Sequence, residues 1–164
     1  MDAIKTLRVF VVDDDLDNAE STARLVRHLG HSSTFANSGE AALQTAPAWN
    51  PDVLILDLAM PTMDGFELAN SFRLIPQFGS TPLIAVSGYL DGKHRQQAAE
   101  AGFSEYLGKP FLIPELIALF DRVQTRIAEM KALADRTRAI AEASRELNRK
   151  SREGLEEYWQ SQSR

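Results

Sequence analysis

Three aspartates, a serine and a lysine are the residues whose types and placement could do chemistry together in this sequence. Asp57 ends the apolar run Val53-Leu54-Ile55-Leu56 and precedes a proline-containing loop, Leu58-Ala59-Met60-Pro61. Asp13 and Asp14 follow a second run, Val9-Phe10-Val11-Val12, while Ser87 follows Leu83-Ile84-Ala85-Val86 and Lys109 follows a short run ending at Leu107. Clustered carboxylates repel one another and raise each other's pKa unless a cation intervenes. An oxygen-only set without His or Cys suits Mg²⁺, which takes one or two carboxylates and keeps several waters. Asp57 could then attack phosphorus and become an aspartyl phosphate. Lys109 would bring positive charge to the transferring phosphoryl group, and the Ser87 hydroxyl could donate to one of its oxygens. Taken singly, each residue has a plainer reading. Asp57 could cap the next turn, Asp13 to Asp15 could form a solvated turn, Ser87 could be a turn former, and Lys109 a surface charge. Their ordered recurrence at strand ends is what carries the chemical reading.

The elements that must position these residues are legible as alternating patterns. Residues 7–12 and 53–57 read as strands, the second buried on both faces because its apolar run is unbroken. Residues 83–86 form another such strand, 103–107 a short one, and 33–36 the weakest of the set. Between them lie helical patterns. Ala19, Thr22, Ala23, Val26 and Leu29 fall at helical spacing, with Asp17 and Glu20 resembling a capping box and Gly30 a C-terminal cap. A short helix is expected over residues 40–46, ended by Pro47. A third helix carries Leu68, Ala69, Phe72 and Ile75, and a polar helix spans about residues 93–101. Five strands alternating with five helices over short connections predict a doubly wound α/β fold, a parallel sheet with helices on both faces. In such sheets the functional crevice lies at the carboxyl ends of the strands, where these polar residues stand. If the strand order is 2-1-3-4-5, the first strand neighbours the third and the three carboxylates converge.

Composition narrows the alternatives. The chain has 164 residues, 44% of them hydrophobic, which supports a packed core. It has no Cys, so disulfide scaffolds, thiolate metal sites and Cys nucleophiles are excluded. Residues 1–124 carry 9 basic and 16 acidic residues, a net −7, and residues 125–164 carry 9 and 7, a net +2. Neither part is basic enough to predict nucleic-acid binding. No apolar stretch approaches membrane-spanning length and Met1 to Lys5 do not resemble a signal peptide, so a cytoplasmic protein is expected.

Four motifs in order, Val11-Val12-Asp13-Asp14-Asp15, Leu56-Asp57-Leu58-Ala59-Met60-Pro61-Thr62-Met63-Asp64-Gly65, Ala85-Val86-Ser87-Gly88-Tyr89 and Tyr106-Leu107-Gly108-Lys109-Pro110-Phe111, closely resemble the receiver domains of two-component response regulators. The resemblance covers about residues 5–125. It implies a five-stranded flavodoxin-like sheet in the order 2-1-3-4-5, as in chemotaxis receivers, and a signalling switch rather than an enzyme. It implies that Asp57 accepts a phosphoryl group from a phosphohistidine on a sensor kinase or phosphotransfer protein. Asp14, Asp57 and the Ala59 backbone carbonyl would ligate Mg²⁺, with Asp13 acting through a water. Ser87 and Lys109 would bind the phosphoryl oxygens, and the Lys109–Pro110 bond would be cis. Ser87 and Tyr106 would shift together on phosphorylation, altering the face formed by the fourth helix, fifth strand and fifth helix. Ala59 and Tyr89 flank the route of attacking water, and slow self-dephosphorylation is expected because Ala59 cannot orient a water and Tyr89 could obstruct one.

Residues 126–164 extend beyond a receiver (residues 1–125) as a continuation of the fifth helix, without Pro and without Gly before Gly154. Met130, Leu133, Thr137, Ile140, Ser144 and Leu147 alternate spacings of three and four, a heptad pattern. The favoured reading is a dimerisation or partner-binding arm. A linker to a further domain of a larger regulator and a helix folding back on the receiver compete with it, and homodimerisation through the fourth-helix/fifth-strand/fifth-helix face is a further route. His28, His31 and His94 all precede this helix, so it cannot be a phosphohistidine helix, and all three are expected at the surface.

Other classes fit less well. A haloacid-dehalogenase-like phosphatase needs a second Asp where Ala59 stands, and a flavin carrier would set its phosphate against Asp13 to Asp15. An intermediate phosphoacceptor in a relay, and a receiver-like scaffold that is never phosphorylated, remain as alternatives.

Overall fold

The computed structural model describes residues 6–89 and 92–162, and the chain divides into two units, Met1–Val123 and Gln124–Arg164. In the first unit, β1 (Arg8–Val12), β2 (Ser32–Ala36), β3 (Val53–Asp57), β4 (Leu83–Ser87) and β5 (Glu105–Gly108) form one parallel sheet ordered β2-β1-β3-β4-β5. The connecting helices are α1 (Leu16–His28), α2 (Gly39–Trp49), α3 (Gly65–Leu74) and α4 (Gly92–Glu100), with a short 3-10 turn at Pro76–Phe78. A fifth helix, α5, runs from Ile113 to Gln162.

The central strands are buried on both faces, as their unbroken apolar runs require; all five residues of β3 and of β4 are buried. Phe10, Leu54, Leu56 and Leu83 pack in one cluster with Ala42 and Ala46 of α2 and with Leu68 and Phe72 of α3. The alternate residues Val9, Val11, Ile55 and Ile84 point to the opposite face and are equally buried. Each large side chain so removed from water contributes about 1.5–3 kcal/mol. Val11 pairs with Ile55 and Leu56 with Ala85, and this register brings the carboxyl ends of β1, β3 and β4 side by side.

Several local expectations need correction. The cap of α1 is Asp15, whose side chain accepts from the Asn18 backbone N–H, so Asp17 lies inside the first turn. There its charge faces the positive end of the helix dipole. Helix α2 runs through Pro47 to Trp49 before Asn50 closes it in the left-handed conformation. Trp49 packs edge-on against Phe10 and beneath the Arg8 guanidinium, and Arg8 also donates to the Trp49 carbonyl. That packing holds the last turn despite the hydrogen bond that proline removes. His31 is buried rather than exposed: its Nδ1 accepts from the Leu7 N–H, and its ring meets the edge of Phe120. His28 is exposed and His94 half-buried, stacked on Tyr89.

Helix α5 begins with an amphipathic part whose Leu116, Leu119, Phe120 and Val123 are buried. In the second unit it continues through Gly154, whose cost of about 1 kcal/mol relative to Ala does not end it. Arg149 there bridges Glu146 and Glu153 on the helix surface. Among the described residues, no helix is long and apolar enough to cross a membrane.

Candidate functional site

Asp57 is the last residue of β3, so its backbone is held by the sheet while its carboxylate emerges at the strand's carboxyl end. It is 6% exposed and Asp13, one residue beyond β1, is 5% exposed. Lys109, immediately after β5, joins them: its Nζ donates to Asp13 Oδ2 at 2.6 Å and to Asp57 Oδ2 at 2.9 Å. Asp57 Oδ1 accepts from the Ala59 N–H at 3.0 Å, and Asp13 Oδ1 accepts from the Asp15 N–H at 3.0 Å. Asp14 is exposed, and its carboxylate, with those of Asp13 and Asp57, offers ligand atoms within 4.8 Å of one another.

The electrostatics of this group are unbalanced. Burial raises the Asp13 carboxyl above its ordinary pKa, with the Asp57 charge adding to the effect and Lys109 opposing it. Burial also works against the Lys109 ammonium, but its bonds to Asp13 and Asp57 outweigh that and raise its pKa. Three carboxylates thus face one ammonium, a set of oxygen donors two charges short of neutrality. A divalent, oxygen-preferring cation matches both the donor type and the missing charge.

Ser87 ends β4 and is 1% exposed; its Oγ accepts from the Tyr89 N–H at 3.1 Å. The Ser87 carbonyl in turn accepts from the Lys109 N–H at 2.7 Å, tying the two strand ends together. Tyr106, in β5, is half-buried, donates its hydroxyl to the Tyr89 carbonyl, and lies under the Arg95 guanidinium. The Lys109–Pro110 bond is cis. Asp13, Asp14, Asp57 and Lys109 therefore meet in one cluster. Ser87 and Tyr106 share the Tyr89 backbone.

Two positioning residues carry no role in the motif reading. Gly65 opens α3 so close to the strand end that a Cβ there would sit 2.4 Å from the Asp57 carbonyl oxygen and 2.8 Å from Leu58 Cα. Asp64 caps the same helix in a reciprocal box with Glu67. The Asp64-x-x-Glu67 spacing signals the cap. Nothing in the local sequence signals the contact at Gly65, which depends on how α3 meets β3.

Residues 9–121 match the family model of the response regulator receiver domain. The chain belongs to that family. The receiver is 36% identical over 119 residues to an uncharacterized 14.6 kDa protein of Leptolyngbya boryana, covering 73% of this chain and 91% of that one. The whole chain is 34% identical over 143 residues to the transcriptional regulatory protein PrrA of Mycobacterium leprae, covering 87% of this chain but only 56% of the regulator's length. Among solved structures, the chemotaxis protein CheY4 of Vibrio cholerae superposes with a TM-score of 0.68 at 28% identity, covering 73% of this chain and 99% of that one. Receiver domains are signalling phosphoacceptors that receive phosphate from histidine kinases and are generally not classed as enzymes.

Proposed function

We propose that this receiver is a Mg²⁺-dependent signalling switch in which Asp57 is the phosphoacceptor. The observation that carries the reading is the Lys109 ammonium lying between the buried carboxylates of Asp13 and Asp57 at the sheet's carboxyl edge. An Asp57 carboxylate oxygen forms the new bond to phosphorus as the phosphorus–nitrogen bond of the donor phosphohistidine breaks, and the imidazole leaves with the electron pair. The rigid strand beneath Asp57 fixes the direction of attack. Of the three N–H groups on Lys109, two serve Asp13 and Asp57, leaving the third for a phosphoryl oxygen. The Ser87 hydroxyl donates to another.

Asp14, Asp57 and the Ala59 carbonyl would hold the Mg²⁺, with Asp13 acting through a water. When bound, the ion supplies the positive charge that lets an anionic phosphoryl group approach three carboxylates. Switching follows from the shared Tyr89 backbone. When Ser87 turns toward the phosphoryl group it releases the Tyr89 N–H, and Tyr106 then loses its hold on the Tyr89 carbonyl. The surface of α4, β5 and the start of α5 changes with it.

The donor is a sensor histidine kinase or a histidine phosphotransfer protein in the cytoplasm. Residues 1–125 form the receiver and residues 126–164 an arm that pairs with another helix. The partial coverage of PrrA favours a second reading, in which this receiver serves a longer regulator.

The test is uptake of labelled phosphate from a small phosphodonor, with and without a chelator, by wild type and Asp57→Ala. Uptake that needs Mg²⁺ and vanishes in Asp57→Ala supports the proposal, and uptake that survives the substitution refutes it.

A further inference from the structure

In the second unit, Leu133, Ile140 and Leu147 are 65%, 68% and 66% exposed and recur at seven-residue spacing on one helix face. With these at the d positions of a heptad, the a positions are Met130, Thr137 and Ser144. We propose that this face packs against the same face of a second copy of the chain, antiparallel, with Met130 opposite the partner's Leu147. The proposal rests on the reading of residues 126–164 as a pairing arm, and it names that arm's partner and geometry.

Side-chain size is the first argument. A parallel dimer stacks like on like, so thin layers of Thr137 and Ser144 would alternate with wide layers of Leu133 and Ile140. An antiparallel dimer sets each a residue against a d residue. Thr137 then meets the partner's Ile140 and Ser144 meets the partner's Leu133, so the layers differ less in volume than in like-on-like stacking. The Thr137 hydroxyl donates to the Leu133 carbonyl of its own helix at 3.0 Å, so it can face an apolar partner without losing a hydrogen bond.

Charge selects the register. Antiparallel pairing brings g positions against g positions, and here these are Glu129, Arg136, Ala143 and Lys150. With Met130 opposite the partner's Leu147, Glu129 meets the partner's Lys150, and symmetry repeats the pair. On the other flank Ala134 meets the partner's Ala141, which lets the helices approach closely. A slip of one heptad one way sets Arg136 against the partner's Arg136. A slip the other way sets Arg136 against the partner's Lys150 and Glu129 against the partner's Glu157. A parallel dimer would face Glu129 with the partner's Ala134 and Arg136 with the partner's Ala141, leaving no ion pair between helices. Lys150 is only loosely engaged in its own helix, 3.5 Å from Glu146, which Arg149 holds at 2.7 Å. The selected register pairs residues 124–153 with themselves, a seam of roughly 45 Å that stops just before Gly154.

The chain has no Cys, so introduced thiols are unambiguous reporters. Light scattering of the full chain should give a dimer mass; a monomer at all concentrations overturns the second copy as the arm's partner while sparing an arm that pairs with another protein's helix. Met130→Cys and Leu147→Cys are then treated with a short bismaleimide, alone and after mixing and re-equilibration. Cross-linked dimer should form only in the mixture, because an antiparallel pair separates the two thiols of a Met130→Cys homodimer by about 25 Å along the axis. Cross-linking of Met130→Cys alone, or a dimer that cross-links in no combination, overturns the proposed geometry while sparing the arm. Glu129→Lys should weaken association roughly tenfold and Glu129→Lys with Lys150→Glu should restore it; failure of that rescue also overturns the register.

Discussion

Tyr106 donates its hydroxyl to the Tyr89 carbonyl, and Tyr89 is held at its other backbone group by Ser87 Oγ. A single residue after β4 is thus tied both to Ser87 at the end of β4 and to Tyr106 in β5. Tyr106→Phe removes the hydroxyl alone. It should cost about 0.5–1.5 kcal/mol and speed amide exchange over the residues just after Ser87. Unchanged exchange there would show that Tyr106 does not restrain this segment.

Phosphoryl lifetime is expected to be set by Ala59 and Tyr89. Ala59 has no polar side-chain atom to orient an attacking water, and Tyr89, 58% exposed, stacks its ring on His94. Ala59→Asn with Tyr89→Glu should shorten the half-life of the phosphorylated chain severalfold. Decay of the double variant at the wild-type rate would remove these two positions from the explanation.

The backbone contact at Gly65 predicts an asymmetric response to glycine substitution. Gly65→Ala drives a methyl group into the Asp57 carbonyl, a backbone atom that cannot swing away. It should cost about 1–3 kcal/mol and slow phosphoryl uptake, since the strand end that carries Asp57 must shift. Gly92→Ala meets nothing within 4 Å and should stay within about 0.5 kcal/mol of wild type. Thermal melts of the two variants check this, and equal melting temperatures would contradict it.

The reach of sequence reasoning follows the range of the interactions involved. Asp13, Asp57 and Ser87 are legible because each ends a buried apolar run, and Lys109 because it follows the short strand β5; a parallel sheet brings such ends to one edge. Where a distant contact decides, local pattern misleads. Pro47 reads as a helix end, yet Trp49 is held by Phe10 and Arg8 from β1. His31 reads as a surface residue, yet Phe120 covers it from a helix 89 positions later. Asp17 imitates a cap because its spacing to Glu20 is right, but Asp15 stands nearer the strand and takes the role. Gly65 is invisible in the same way, since its requirement arises only where α3 meets β3.

Burial lowers the His31 pKa below its ordinary 6.5, with the charge of Asp121 working against that shift. A His that resists protonation in the fold favours the folded state fully above its unfolded pKa. That contribution is lost as pH falls below about 6.5, where the unfolded chain binds the proton first. His31→Gln keeps an acceptor for the Leu7 N–H but cannot titrate. Its melting temperature should fall less than that of wild type between about pH 7.5 and pH 5.5. Identical pH profiles would show that His31 does not contribute to acid sensitivity.

The aspartate at the end of β3, and not its neighbours at the end of β1, is expected to form the acyl phosphate. Borohydride reduces an acyl phosphate to an alcohol, converting the modified aspartate to homoserine. Peptide mass mapping of the phosphorylated and reduced full chain should therefore place homoserine at Asp57. Homoserine at Asp13 or Asp14, or none at all in a chain that has taken up phosphate, would contradict the account.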